Sequence, residues 1–163
     1  MTRETVNEPD GVRAVREIIR HPGSSVVIAR NSAGEYLLIR QYRYAARKKL
    51  WEAVAGRIEI GKEPVGKKPP GETPLQAARR ELAEEAGLAA RRWKKLGVFY
   101  PSPGFMDERM WLYLAEDLSP SVAECDEDER ITRKWFSREE FGAMVRKNQI
   151  VDAKTVLSFF LTE

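Results

Sequence analysis

The stretch GETPLQAARRELAEEAGL, residues 71–88, carries the strongest structural signal in the chain. Thr73 and Gln76 have the spacing of a capping box, in which each side chain accepts a hydrogen bond from the backbone of the other residue. Pro74 falls at the first helical position, where its missing N–H costs nothing, and Gly87 can end the helix in the left-handed conformation. The stretch therefore predicts a helix over residues 74–86.

This helix has an apolar stripe beside an acidic flank. At about 100° per residue, the apolar stripe, which should face the core, consists of Leu75, Ala78, Leu82 and Ala86. Glu81, Glu84 and Glu85 lie on the flank, and their spacing brings the Cβ atoms within about 6 Å of one another. A divalent cation would relieve the repulsion among these carboxylates, and Mg²⁺ prefers such hard oxygen ligands. Taken alone, the three glutamates favour a solvent-exposed acidic face, because glutamate is a strong helix former.

Composition indicates one globular domain of ordinary character. The 163 residues are 42% hydrophobic and 33% charged, which is too apolar for intrinsic disorder. Cys125 is the only cysteine, so we expect no internal disulfide and a reducing, cytoplasmic location. We expect neither a signal peptide nor a membrane span. A net charge of +3 is too mild to indicate nucleic-acid binding, and a small anionic substrate suits it equally well.

Strand-like and helix-like stretches alternate along the chain, which favours a single mixed α/β domain over residues 1–163. The predicted strands cover residues 15–20, 25–29, 35–42, 51–54, 96–100, 110–114 and 131–136. Ser137 and Glu140 form a second capping box before a helix over residues 141–147. Asp152 is the expected cap of a last helix that runs through Leu161.

Residues 71–88 also resemble the Nudix box, a glutamate followed after seven residues by Arg-Glu-apolar-x-Glu-Glu-x-Gly-apolar. Glu72 matches the early glutamate, and the core of the box matches Arg80, Glu81, Leu82, Glu84, Glu85, Gly87 and Leu88. Six other segments resemble ADP-ribose pyrophosphatases of that family: RHPGSSVVIA, LLIRQYRYA, LWEAVAGRIE, SPGFMDER, CDEDERI and IVDAKTVLSFFL. Pro103, 15 positions beyond Leu88, is similar to the proline that marks the ADP-sugar branch.

The resemblance implies a fold, an assembly and a reaction. The expected fold is an α/β/α sandwich with a mixed β-sheet. The expected assembly is a homodimer in which an N-terminal arm of dimerisation strands, about residues 1–24, helps to form the partner's site. The expected reaction is hydrolysis of ADP-ribose or another ADP-sugar to AMP and a sugar phosphate. A dinucleotide, an NDP-hexose or a nucleoside triphosphate is the alternative substrate, and a non-catalytic Nudix-fold regulator is a further alternative.

The resemblance also assigns roles around the metal. It implies that Glu81 and Glu85 bind Mg²⁺, or Mn²⁺ in its place, with help from Glu84 and the main-chain carbonyl of Ala55. Arg80 joins the catalytic set because, with Glu72, it should orient the carboxylates. The resemblance implies that the general base is Glu129, from the acidic run before Ile131, or Glu85, and the sequence does not decide between them.

Substrate contacts are assigned in the same way. Arg43 and Arg16 match substrate-contacting arginines, and bidentate arginine suits phosphate. The loop that holds Ser102, Gly104 and Glu108 should contact the ribose or the phosphates. The aromatic ring that stacks on adenine stays open among Tyr42, Tyr44, Trp51 and Phe105.

One segment departs from the family pattern. Gly56 and Glu72 enclose 15 residues, ten more than the family usually has, and the excess falls at about residues 60–70. Its composition suits an exposed loop. Lys67 or Lys68 in this insertion could contact phosphate, or the insertion could be a tolerated surface feature.

Overall fold

The computed structural model describes residues 1–60, 71–122 and 130–162. The strands in these ranges are β1 (Thr2–Asn7), β2 (Arg13–Ile18), β3 (Ser24–Arg30), β4 (Tyr36–Arg43), β5 (Lys48–Glu52), β6 (Val54–Arg57), β7 (Leu88–Phe99), β8 (Met110–Pro120) and β9 (Thr132–Phe136). The helices are α1 (Pro74–Ala86), α2 (Arg138–Arg146) and α3 (Ala153–Leu161), with a short 3₁₀ turn at Tyr44–Ala46.

Seven strands form the main sheet, in the order β5-β4-β3-β8-β7, with β6 added to β3 and β9 added to β4. The β3–β8 pair is parallel and the other pairs are antiparallel, so the sheet is mixed, as expected. β3 and β4 pair directly only through Ala29 with Leu37 and Arg30 with Tyr36. Beyond that point β6 pairs with β3 and β5 pairs with β4. The β5–β6 segment therefore enters the middle of the sheet.

Helices cover both faces of this sheet. Alternate residues of β3 belong to two hydrophobic clusters, Val26 and Ile28 to one and Val27 and Ala29 to the other, because successive side chains point to opposite faces. The first cluster includes Phe141 of α2 and Phe159 of α3, and the second includes Leu82 of α1. The result is the predicted α/β/α sandwich.

The helix ends agree with the caps read from the sequence. α1 spans the predicted residues, with both capping-box bonds between Thr73 and Gln76 present and Gly87 at φ 68°. Asp152 caps α3 by accepting a hydrogen bond from Thr155 N. α2 begins three residues before the predicted start and ends one residue before the predicted end, because Ser137 is itself the N-cap residue and Arg138 follows at the first helical position.

The strand predictions need three corrections. β1 lies in the expected N-terminal strand region, where it pairs with β2 in a separate two-stranded sheet. Residues 15–20 and 25–29, which the sequence predicts as two strands around a turn at Pro22 and Gly23, do not pair with each other, because β2 pairs with β1 and β3 pairs with β4, β6 and β8. The predicted strand at residues 51–54 is interrupted at Ala53, which separates β5 from β6. The strand predicted at residues 96–100 begins already at Leu88, because antiparallel pairing with β8 continues along its basic residues.

The N-terminal strand pair is anchored to one loop. Ile19 N donates to Phe105 O at 2.8 Å, Asp107 N donates to Ile19 O at 3.2 Å, and Arg20 forms an ion pair with Asp107. This arm therefore lies beside the loop that holds Ser102 and Glu108. None of the helices in the described ranges has the length and apolar character needed to cross a bilayer.

Candidate active site

Two glutamates of α1 are buried against β6. Glu81 and Glu85 are only 8% and 4% exposed. The backbone N–H of Ala55 donates to Glu85 Oε2 at 3.0 Å. A Cβ atom added to Gly56 would lie 1.7 Å from Glu81 Oε1, so only glycine leaves room for this carboxylate. The close approach of β6 and α1 therefore fixes both carboxylates against a strand backbone.

Arg80 links three glutamates. Its Nε and Nη2 donate to the two carboxylate oxygens of Glu72, each at 3.0 Å. Its Nη1 donates to Glu81 at 2.7 Å and to Glu84 at 2.9 Å, and Nη2 also reaches Arg57 O at 3.1 Å. The hydrogen bond with Glu72 is the main cause that raises the pKa of Arg80, so this guanidinium stays charged. Burial alone would raise the pKa of Glu72. The hydrogen bonds from Arg80 have the opposite and larger effect, so the net pKa lies below its usual range.

These residues border a cavity of about 360 Å³, and its lining is strongly charged: Arg43, Ala55, Gly56, Arg57, Glu59, Arg80, Glu81, Glu84 and Glu85. Four glutamates face three arginines. The cavity can thus hold both a cation, at its carboxylates, and an anion, at its guanidinium groups.

The donors suit a hard divalent cation in chemical type, since they are carboxylate oxygens with a backbone carbonyl nearby. Within the described ranges, however, no three acidic, histidine or cysteine side chains converge on one point as a metal centre requires. Arg80 instead bonds to Glu81 and Glu84, while Ala55 N bonds to Glu85. Two of the three carboxylates are thus joined through Arg80, and the third is held by the backbone of β6.

A second cavity of about 330 Å³ shares Arg43, Ala55, Gly56 and Arg57 with the first. The other residues that line it are His21, Ser24, Pro101, Glu108, Met110, Asp152, Ala153 and Lys154. Glu108 accepts a hydrogen bond from Ser24 Oγ at 2.7 Å and lies 3.7 Å from His21 Nδ1. A ligand that spans the two cavities would pass Arg43.

The side chain of Arg43 is held by a buried carboxylate. Its Nε and Nη2 each donate to an oxygen of Glu52 at 2.8 Å, and Glu52 also accepts from Lys154 Nζ at 2.5 Å. The bond to Glu52 is the main cause that raises the pKa of Arg43. Arg43 therefore presents a permanent positive charge where the two cavities meet.

A family model described as NUDIX domain matches residues 19–159. The chain belongs to the Nudix family. It is 36% identical over 154 residues to the ADP-ribose pyrophosphatase of Bacillus subtilis (strain 168), which covers 93% of this chain and 78% of that relative. It is 35% identical over 157 residues to the methanol dehydrogenase activator of Bacillus methanolicus, at 95% and 80% coverage. A crystal structure of an ADP compounds hydrolase has the same fold, with a TM-score of 0.77, 24% identity, and coverage of 99% and 90%.

In this Nudix domain, the predicted site residues fall into separate groups. Arg80, Arg43, Ala55 and the three glutamates of α1 border the first cavity, and Glu108 borders the second. Arg16 and Gly104 border a third cavity of about 350 Å³, whose lining also includes Phe105. Arg16 forms an ion pair with Glu8 of the same arm. Within one chain, therefore, Arg16 does not join Arg43.

Other predicted residues stand outside these cavities or outside the described ranges. The backbone carbonyl of Ser102 accepts from Phe105 N and Met106 N, which closes a turn. Glu129 lies in the segment 123–129 and Lys67 and Lys68 lie in the segment 61–70, and both segments fall outside the described residues.

The four candidate aromatic residues differ in exposure. Tyr42, Tyr44 and Phe105 are 53%, 82% and 54% exposed, whereas Trp51 packs edge-on against Phe136 at 5.0 Å between ring centroids. Trp51 thus contributes to the core of this Nudix domain.

No role was predicted from the sequence for four residues that line these cavities or contact residues that do: Glu52, Arg57, His21 and Lys154. All four lie inside segments that resemble the family, in LWEAVAGRIE, RHPGSSVVIA and IVDAKTVLSFFL. Glu52 carried a usable signal, because it is the one charged residue in the apolar run LWEAVA and a glutamate that becomes buried needs a partner. One partner, Arg43, lies nine residues earlier, whereas the other, Lys154 of α3, lies 102 residues later and could not be identified from the sequence.

Proposed function

We propose that this Nudix domain hydrolyses the diphosphate of an ADP-sugar, with ADP-ribose as substrate and with AMP and a sugar phosphate as products. The observation that carries the proposal is the first cavity, which is lined by the glutamates of α1 and by Arg43, Arg57 and Arg80. The relative named ADP-ribose pyrophosphatase supports the choice of substrate.

The charges around the cavity support a requirement for a divalent cation. Four glutamates against three arginines give a net charge of −1 before any ligand enters. A diphosphate diester adds about two further negative charges at neutral pH, so its entry alone would be opposed. One or two divalent cations would restore a balance near zero, and Mg²⁺ is our proposed ion, with Mn²⁺ as substitute.

Each residue then has a definite task. Glu81 and Glu85, assisted by Glu84 and the Ala55 carbonyl, would hold the cation, while Arg80 keeps the carboxylates in place. When bound, the cation supplies charge neutralisation and an activated water. Arg43 binds phosphate oxygens through its guanidinium. Glu85 or Glu129 accepts the proton of the attacking water.

The remaining substrate contacts involve the second cavity and a partner chain. Glu108 borders the second cavity, beside Arg43, where it can accept hydrogen bonds from a ribose. Arg16, Ser102 and Gly104 belong to the arm and to the loop beside it. We propose that a homodimer brings Arg16 of one chain to the partner's diphosphate. A variant that lacks residues 1–20 should elute as a monomer with reduced activity, and an active monomer would refute this assembly.

The hydrolysis proposal is tested with Glu81→Gln and Glu85→Gln. Each should lower kcat/KM for ADP-ribose with Mg²⁺ by a factor on the order of 100 or more, because neutral amides bind hard cations weakly. Glu116→Gln is the matched control, since Glu116 pairs with Arg30 outside both site cavities. Glutamine variants as fast as the parent would refute the metal assignment. Faster cleavage of a dinucleotide, an NDP-hexose or a nucleoside triphosphate would refute the choice of ADP-ribose.

Regulation of another enzyme is the second candidate function, because one relative is named a methanol dehydrogenase activator. Methanol dehydrogenase assayed with and without this chain tests it. If the Glu81→Gln variant still stimulates methanol dehydrogenase, this would favour a binding role independent of hydrolysis. We further propose a cytosolic location, which the single cysteine of the sequence favours.

A further inference from the structure

Glu52, at the end of β5, is a buried carboxylate that borders neither cavity of the site. Its exposure is only 1%, and burial on this scale is costly for a charge that lacks partners. Its two cationic partners, Arg43 and Lys154, both border the second cavity, and Arg43 borders the first as well. Glu52 is thus in direct contact with the cationic side of the site without reaching a ligand itself.

The contact with Arg43 fixes the plane of the guanidinium. Nε donates to Oε1 and Nη2 donates to Oε2, each at 2.8 Å, which is the two-pronged arrangement that combines strength with a defined orientation. An arginine has five N–H donors, and this arrangement uses two of them. Three N–H groups remain for phosphate oxygens at the junction of the two cavities.

The carboxylate of Glu52 is itself held from the other side. Lys154 Nζ donates to Oε2 at 2.5 Å and to Asp152 at 2.8 Å. Asp152 also accepts from Thr155 Oγ1, which in turn accepts from the backbone N–H of Ala53 at 2.7 Å. The start of α3 therefore fixes both the side chain of Glu52 and the backbone next to it, so Glu52 cannot follow Arg43 if Arg43 moves.

We propose that Glu52 is a positioning residue, which holds the Arg43 guanidinium in the orientation that binds the nonbridging oxygens of a nucleoside diphosphate. The inference rests on the proposed function, because it assumes that the ligand at Arg43 is a diphosphate. A purely structural role for Glu52 would stabilise the fold and leave the affinity for diphosphate unchanged.

A double-mutant cycle separates these roles. Glu52→Gln, Arg43→Gln and the double variant are compared for hydrolysis of ADP-ribose and for binding of α,β-methylene-ADP, a diphosphate that cannot be cleaved at its bridge, by calorimetry. Glu52→Gln should weaken binding and lower kcat/KM by about tenfold, and it should have less than about a twofold effect once Arg43 is glutamine. Equal losses in both backgrounds would overturn the proposal. Glu116→Gln is the control, because it removes a comparable arginine partner away from the site.

Arg43→Lys covers the case in which Glu52→Gln does not fold. Lysine keeps the charge but cannot form the two-pronged contact, so we expect a loss similar to that of Glu52→Gln. Parent-like affinity of Arg43→Lys would overturn the proposal, because charge alone would then suffice. A parent chain that binds α,β-methylene-ADP in a Glu52-dependent manner but does not cleave ADP-ribose would refute the proposed function and leave this inference standing.

Discussion

Replacement of Gly56 by alanine tests the close contact between β6 and α1. The new Cβ atom would lie 1.7 Å from Oε1 and 1.9 Å from Cδ of Glu81. Ordinary van der Waals contact begins at 3.4 Å, so the carboxylate must withdraw by about 1.7 Å. Glu81 can make this movement because its carboxylate ends a flexible side chain, but its hydrogen bond with Arg80 would then be lost or distorted.

The substitution should affect both catalysis and stability, and the two effects are measured separately. A displacement of about 1 Å in a catalytic group can cost a factor of about 100, so kcat/KM for ADP-ribose should fall by at least that much, or about 2.7 kcal/mol in the barrier. The free energy of unfolding should fall by about 1 to 3 kcal/mol, which is the usual cost of an added methyl group in a packed region. Steady-state kinetics and urea denaturation measure the two quantities.

Gly71→Ala is the matched control for this prediction. Among the described residues, a Cβ atom at Gly71 would meet only the carbonyl of Glu59, at 3.6 Å, which is an ordinary contact. We expect its kcat/KM to stay within about twofold of the parent. If Gly56→Ala also keeps parent-like activity while it remains folded, Glu81 does not need its place against β6, and the assignment of this carboxylate to the site is refuted.

Two further predictions concern the charged groups. Arg80→Lys should lower kcat/KM by about 10- to 100-fold, because lysine cannot bridge Glu72, Glu81 and Glu84 together. Steady-state kinetics measures this loss. Parent-like values would show that the three carboxylates keep their positions without the guanidinium of Arg80. Burial alone would raise the pKa of Glu52, but its contacts with Arg43 and Lys154 have the larger effect, so the net pKa lies below the ordinary value of a glutamate. The charge of Glu52 therefore stabilises the fold fully above that ordinary value, about 4.3, and this contribution is lost as the pH falls through the lower pKa of the folded state. Urea denaturation should show that the free energy of unfolding changes less between pH 7 and pH 3 in Glu52→Gln than in the parent. An equal change in both proteins would contradict this account.

Local signals explain why the helices were predicted well. The capping box at Thr73, the proline that follows it and the left-handed Gly87 act within a few residues, so their outcome depends little on the rest of the chain. Amphipathic spacing predicted the burial of Leu82 for the same reason. The burial of Glu81 and Glu85 was not predictable from spacing, because it depends on β6 lying against the same flank of the helix.

Strand pairing and the outer parts of the site depend on contacts between distant residues. The basic start of β7 looks unlike a strand, yet pairing with β8 supplies its hydrogen bonds. Arg16 and Arg43 were each predicted to contact substrate, with the N-terminal arm that holds Arg16 expected at the partner's site, and within one chain they border different cavities. A sequence pattern shows which residues are chemically suitable and does not show whether one chain or two bring them together.

Residues 52–57 supply contacts in the site that the Nudix box itself does not contain. Glu52 binds Arg43, Ala55 N binds Glu85, Gly56 admits Glu81, and Arg57 O binds Arg80.

This role depends on the position of the segment inside the sheet, where β3 and β4 hold it from both sides. Two hydrogen bonds explain why the extra residues between Gly56 and Glu72 are compatible with the site. Glu72 N donates to Glu59 O at 3.1 Å, and Glu59 N donates to Glu72 Oε2 at 3.1 Å. Because these two bonds join the chain on either side of the expected insertion, we expect a change in its length to leave Glu72, and the Arg80 that Glu72 holds, in place.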